Sequence, residues 1–213
     1  MDERLINLLS ELNEYEVALT FAGVLHREFQ TLSLEVVIEN YLTLMSLVEE
    51  NSPEQIYLDD LFRFYGEKNH SIDYVERIQG FRTQIYRIME DELVVESENS
   101  VEFNKYFFDQ LNSFHNQLQD EFDGKPELKY LNALRLKYAE PNSADQRAVL
   151  ASISLDELYL STRVYNALIE EGINNMHSLS IKSPRELIGI HNIGEEALKE
   201  ITQTFRQYGF ELR

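Results

Sequence analysis

Apolar residues recur along this chain at intervals of three and four, the spacing that lines one face of a helix. Val17, Phe21, Val24 and Leu25 form one stripe, and Leu34, Ile38, Leu42, Met45 and Val48 another. Ile72, Val75, Ile78, Ile85, Ile88 and Met89 continue the pattern, as do Val101, Phe103, Phe107, Phe108, Leu111, Phe114 and Leu118. Alternating Val/Ile/Thr-rich runs joined by hairpin turns do not occur, so little or no sheet is expected. Leu93-Val94-Val95 is the weakest stretch for helix and suits a short extended piece.

The punctuation agrees with this period. Ser52-Pro53-Glu54-Gln55 reads as a helix start: serine caps, proline takes the first turn, and glutamine completes a capping box. Ser183-Pro184-Arg185-Glu186 repeats that grammar. Gly66, Gly124, Gly172 and Gly209 each follow an amphipathic run, where left-handed C-terminal caps belong. The pattern predicts helices over 2–12, 14–29, 33–50, 53–65, 72–92, 101–122 and 127–139. No fixed repeat period is apparent. Glu140-Pro141-Asn142-Ser143 interrupts the succession and supplies a cap for a further short helix. The expected architecture is all-α: an N-terminal multi-helix bundle over 1–140, a linker over 141–153, and a small helical unit over 154–213. Phe62, Phe64, Tyr65, Phe103, Tyr106, Phe107 and Phe108 are expected in the core.

Charge changes the picture more than composition does. The chain has 213 residues, 43% of them hydrophobic, which is enough for a real core. Its 19 Lys and Arg stand against 38 Asp and Glu, a formal charge of −19. A chain this acidic is repelled by phosphate polyanions, so any nucleic-acid contact must come from a local patch. Residues 1–153 hold 13 basic and 29 acidic residues, a net of −16; residues 154–213 hold 6 and 9, a net of −3. The acidity belongs to the front, and an acidic helical front suits a basic protein partner or pairing with a second copy. There are no cysteines, which excludes disulfides, thiolate zinc sites and cysteine nucleophiles. The start, Met1 to Asn7, lacks the basic and apolar regions of a signal peptide, and no stretch approaches 18 apolar residues. A cytoplasmic protein with no membrane partner is expected.

Nothing in the chain suggests catalysis. His26, His70, His115, His177 and His191 are scattered without metal-ligand spacing and are expected at the surface or half-buried. Asp59-Asp60 and Glu90-Asp91-Glu92 lack the spacing of a metal loop and read as solvated faces. There is no phosphate-binding glycine loop, dinucleotide fingerprint or serine elbow. No enzyme, cofactor or metal is expected.

The last sixty or so residues carry the chemistry-bearing phrases. Leu158 to Leu168 reads Leu-Tyr-Leu-Ser-Thr-Arg-Val-Tyr-Asn-Ala-Leu, with Ser161 or Thr162 as cap and Gly172 as stop. Ser183 to Ile190 makes a further short helix. Asn192-Ile-Gly-Glu-Glu-Ala-Leu-Lys-Glu-Ile turns into a final one. In order and spacing these segments resemble the C-terminal domain of the bacterial RNA polymerase alpha subunit, a compact helical unit that ends in a helix-hairpin-helix. The resemblance covers about residues 154–213. It implies that Arg163 enters an AT-rich minor groove, whose negative potential suits a guanidinium. It implies a neighbouring polar contact from Asn166, a hairpin at Asn192 and Gly194 close to phosphate, and an acidic position at Glu200.

One part of the pattern departs. After the hairpin glycine the family carries basic residues, or a basic residue and a serine, that donate to phosphate. Glu195, Glu196 and Ala197 stand here. Carboxylates at a helix N-terminus suit the helix dipole. They oppose a phosphate at the same place, a change of order a few kcal/mol at low salt. Two readings follow. One is a transcription-associated accessory protein that touches AT-rich DNA weakly, or touches RNA polymerase or a transcription factor. The other is a protein-interaction adaptor, of phage or mobile-element origin, that keeps the scaffold without binding DNA.

Overall fold

The computed structural model describes residues 12–28, 34–66, 80–89, 100–120, 122, 125–210 and 212. The front helices are α1 Glu14–Glu28, α2 Leu34–Met45, α3 Pro53–Gly66, α4 over 80–89, α5 Ser100–Leu118 and α6 Pro126–Tyr138. They are followed by α7 Ala144–Ser152, a 3₁₀ turn Leu155–Leu158, α8 Thr162–Glu170, α9 Met176–Ser180, α10 Pro184–Ile188 and α11 Glu195–Gln207. Among the described residues there is no strand, only an isolated bridge between Ser154 and Asn175. The all-α expectation holds. The helix expected over 2–12, except its last residue, the Leu93 to Val95 stretch, Gly124, His70 and the Glu90 to Glu92 cluster lie outside the described residues, as does the side chain of His26 in α1.

The start signals act as their chemistry requires. Gln55 N–H donates to Ser52 Oγ at 3.1 Å, while the Gln55 side-chain oxygen accepts from Asn51 N–H at 2.6 Å. Ser183 and Glu186 form a complete capping box at α10. Gly172 and Gly209 take φ of 76° and 73°, the left-handed stop that costs glycine nothing. Gly66 is instead the last helical residue of α3.

The centre of the front is α6. Every residue from Pro126 to Leu136 is buried, so this helix is surrounded, with α3, α5 and α7 packed along it. A helix buried on all sides must find partners for its polar groups. Tyr57 of α3 donates its hydroxyl to Glu127 of α6 at 3.0 Å, and Tyr130 of α6 donates to Glu54 of α3 at 2.9 Å. The two rings stack with centroids 4.6 Å apart. Burial and the adjacent carboxylates push both phenols well above their ordinary value, so both stay protonated donors. Arg135 spans Asn132 at 2.8 Å and Asn112 of α5 at 2.7 Å.

This exchange exposes a repeat that sets no period along the chain. Helix α3 begins Pro53-Glu54, with Tyr57, Leu58 and Leu61 following; α6 begins Pro126-Glu127, with Tyr130, Leu131 and Leu134 at the same offsets. The two copies of the phrase face one another and trade Tyr–Glu hydrogen bonds reciprocally, as like elements do about a local two-fold.

Several sequence expectations are corrected. The interval 141–153, expected as a linker, carries the short capped helix that its Pro141-Asn142-Ser143 break implies. Ser143 caps α7 by accepting from Gln146 N–H, and Val149, Leu150 and Ile153 are buried. Asp60, expected on a solvated face, is buried beside Lys129 at 3.7 Å. His115 is buried rather than half-exposed, and Tyr106 and Leu42 are exposed, with Leu44 taking the buried place in α2. Phe107 and Phe108 are buried, while Phe62 and Phe64 pack half-buried against the core. The side chains of Tyr65 and Phe103 lie outside the description.

Candidate nucleic-acid interface

The C-terminal module is built from short helices held by local caps. Ser154 caps the 3₁₀ turn, with Glu157 reaching back to its N–H at 2.9 Å. Asn175 and Ser178 cap α9 reciprocally. Two backbone bonds, Met176 N–H to Ile153 C=O at 2.9 Å and Leu155 N–H to Asn174 C=O at 3.2 Å, tie the entry of the module to its middle. Val164, Leu168, Leu179, Leu187, Ile201 and Phe205 fill an apolar core.

This packing decides what faces outward. On α8, Val164, Ala167 and Leu168 point inward, which leaves Arg163 and Asn166 exposed. Among the described residues no carboxylate pairs with Arg163, so Glu170 and Glu171 do not sequester it. Ile193 anchors the hairpin in the core, and Asn192 and Gly194 on either side of it are exposed.

The hairpin differs in one respect from a glycine-centred bend. Its left-handed residue is Asn192, at φ 69°, a conformation asparagine tolerates better than most residues. Gly194 has φ −107°, which any residue can adopt. A Cβ built at 194 meets nothing within 4 Å. The fold itself therefore does not demand glycine there, and the open space lies on the outside of the molecule.

Glu195 and Glu196 are exposed at the first turn of α11, which starts from Gly194 and so has no capping side group. Ala197 is wholly buried, so of the three departures from the basic pattern it is a packing position and only the glutamates face solvent. Lys199 pairs with Glu196 at 2.9 Å, with both side chains largely exposed, so the pair is weak and screened.

Glu200 has a role that composition and spacing did not reveal. Its carboxylate accepts from both the backbone N–H and the hydroxyl of Ser161, the latter at 2.9 Å. Ser161 is the N-cap of α8. A glutamate from α11 thus caps the helix that carries Arg163, neutralises orphan donors there, and fixes the first turn of α8 beside α11. A contact across 39 positions leaves no local sequence signal.

The arrangement offers binding chemistry. Among the described residues no group of three or more His, Asp or Glu could hold a metal, and none of their helices is long and apolar enough to cross a membrane. A cleft of about 820 Å³ runs between α3, α5, the end of α6 and the segment ending at Phe210. Its wall residue Lys105 is already paired with Asp109 at 2.9 Å and Asp145 at 3.0 Å.

Comparison with known proteins agrees with this geometry. Residues 142–207 match the family model for the C-terminal domain of the bacterial RNA polymerase alpha subunit. The resemblance is therefore borne out, and it begins at 142, inside the interval expected to be a linker. The DNA-directed RNA polymerase subunit alpha of Alkaliphilus metalliredigens is 33% identical over 69 residues, covering 32% of this chain and 22% of that protein. The same subunit from Moorella thermoacetica is 36% identical over 69 residues, with the same coverage. That of Symbiobacterium thermophilum is 30% identical over 82 residues, 38% of this chain and 26% of that one. The chain spans about a quarter of the length of these relatives. No solved structure matches it.

Proposed function

We propose that this protein is a cytoplasmic, transcription-associated accessory factor that works by binding rather than catalysis. Its C-terminal module meets AT-rich DNA, and its acidic front binds a protein of the transcription machinery. The observation that carries the reading is the family match over 142–207, within which Arg163, Asn166, Asn192 and Gly194 are all exposed. Arg163 enters the minor groove as a guanidinium with no competing carboxylate among the described residues. Asn192 and Gly194 let phosphate approach the uncapped start of α11. Glu195 and Glu196 then keep the affinity low, because each adds repulsion where a basic residue would release a counterion.

The test is fluorescence anisotropy with an AT-rich duplex at low salt. Arg163→Ala should weaken binding roughly 5- to 150-fold, the loss of one groove contact at about 1–3 kcal/mol. Equal binding by wild type and variant removes Arg163 from the site.

The same two glutamates favour a second reading, in which the scaffold serves only a protein partner. The discriminating variant is Glu195→Lys with Glu196→Lys. A large gain in DNA affinity means the rest of the site is intact and only attenuated. No gain, together with polymerase recovered on the immobilised protein after nuclease treatment, selects the adaptor.

A further inference from the structure

The 3₁₀ turn that opens the module ends on Tyr159, at φ 50° and ψ 33°. That left-handed conformation is disfavoured for tyrosine, and glycine or asparagine would close the turn without strain. The ring lies outside the module's own core, against the front helices. Lys129 Nζ of α6 lies 3.4 Å from the ring centroid and the Arg63 guanidinium of α3 lies 4.5 Å from it. The Tyr159 side chain is also hydrogen-bonded to Asp60. Tyr208, at the end of α11, is buried next to Asp60 and Glu157.

We propose that Tyr159 is a latch that holds the C-terminal module on the front helices, so that the module's exposed Arg163 face is presented at a fixed orientation rather than on a free tether. The ring, itself 49% exposed, lies against a charge pair, Asp60 and Lys129, whose side chains are 5% and 4% exposed. An isolated front domain would leave that side of the pair in water. Docking removes the water, and the π face of the ring and its hydroxyl replace it for the cation and the carboxylate respectively. Desolvation accordingly pushes Asp60 up and Lys129 down from their ordinary values. Arg63, exposed on α3, also lies over the ring. Arg163, Asn166, Asn192 and Gly194 all remain exposed in the docked protein, so the latch leaves that face open. Helix α7, packed against both α6 and α9, is a second contact between front and module beside the ring. The latch acts whether or not that face binds DNA.

The test is ¹⁵N relaxation on the full-length protein. In the wild type, module amides such as Leu168 and Ile201 should report the same rotational correlation time as front amides such as Leu61 and Leu131. Tyr159→Gly keeps the left-handed backbone and deletes the ring. It should lower the module's correlation time to about half the front's or less, as expected for a unit of its own size. Tyr159→Phe, which keeps the π face, should stay docked. Faster module tumbling in the wild type, or joint tumbling in Tyr159→Gly, overturns the proposal. Should Tyr159→Gly unfold the module, seen as collapse of the α8 and α11 amide shifts, Arg63→Ala with Lys129→Gln leaves the module's sequence intact. Independent tumbling of that variant supports the latch and joint tumbling refutes it.

Discussion

The front helices and the C-terminal module handle polar groups in opposite ways. The front buries Glu54, Asp60, His115, Glu127, Lys129, Asn132 and Arg135 among its aromatics. In the module the one buried polar residue described is Thr204, which bonds back to the Glu200 carbonyl within its own helix. Its charges and amides lie outside. An apolar core is a tolerant scaffold, because only volume and shape constrain it. A buried polar core is specific, because each group must meet one particular partner. The module can therefore vary its surface without losing its fold, and Glu195 and Glu196 are such a variation. The front fixes how two like helices, α3 and α6, meet.

The comparison is broken most directly in the front. Glu127→Ala leaves the Tyr57 hydroxyl without its acceptor in a fully buried site. It should destabilise the protein by about 3 kcal/mol in urea unfolding. Replacing both partners, Glu127→Leu with Tyr57→Phe, should cost clearly less than the two single changes summed. An additive result would mean that the pair does not act as a unit.

Within the module, a single turn of α11 should separate core from surface. Ala197→Lys forces a long charged group into a wholly buried site and should cost about 2–3 kcal/mol, with no gain in DNA binding. Glu195→Lys and Glu196→Lys should each change stability by less than about 0.5 kcal/mol. Thermal melts of the three variants decide it, and equal losses would mean that the turn is wrongly oriented.

Acid should act on the two regions' shared framework in two senses. Burial, and then the Arg135 charge, lower the His115 pKa from 6.5 to about 4. The folded state therefore binds fewer protons than the unfolded state in that window, and stability present above pH 6.5 is lost as pH falls through about 4. Asp60, under the latch, is raised by burial from 3.8 to about 6 against the attraction of Lys129. Its contribution runs oppositely: it is present below pH 3.8 and lost as pH rises through about 6. At pH 5 each is worth about 1–2 kcal/mol, and they partly cancel. Unfolding at pH 5 and pH 7.5 should show a steeper acid loss in Asp60→Asn and a shallower one in His115→Gln. The reverse order would contradict both assignments.

The smallest stability effect belongs to Gly194→Ala. With φ −107° and open space at Cβ, stability should move by no more than about 0.5 kcal/mol. DNA binding should still weaken, because the added methyl faces the approaching phosphate. Loss of stability without loss of binding would reverse the reading.

Much of this was legible in the letters because helix signals are local. The apolar period and the serine and asparagine caps each act within a few residues, so helices α1 to α3, the capping box at Ser183 and the hairpin phrase could be read directly. What escaped is non-local. The Pro-Glu-x-x-Tyr-Leu phrase occurs in α3 and α6 with no third copy to set a period, and only their packing reveals the pairing. Asp60 stands in an acidic pair that reads as a solvated face, and only its distant partner Lys129 accounts for its burial. The cap of helix α7 was legible in the break at Pro141 to Ser143, but its packing onto α6 was not. The site was legible through Arg163, Asn166 and Asn192; Glu200 and Tyr159 were not, since their partners lie far along the sequence.

Amide-shift mapping of the full-length protein titrated with an AT-rich duplex tests the central claim most directly. The largest shifts should fall at Arg163, Asn166 and Asn192 to Glu196, while α3 and α6 stay unmoved. Shifts centred on the front helices, or none at saturating duplex, would contradict the assignment of this face to DNA.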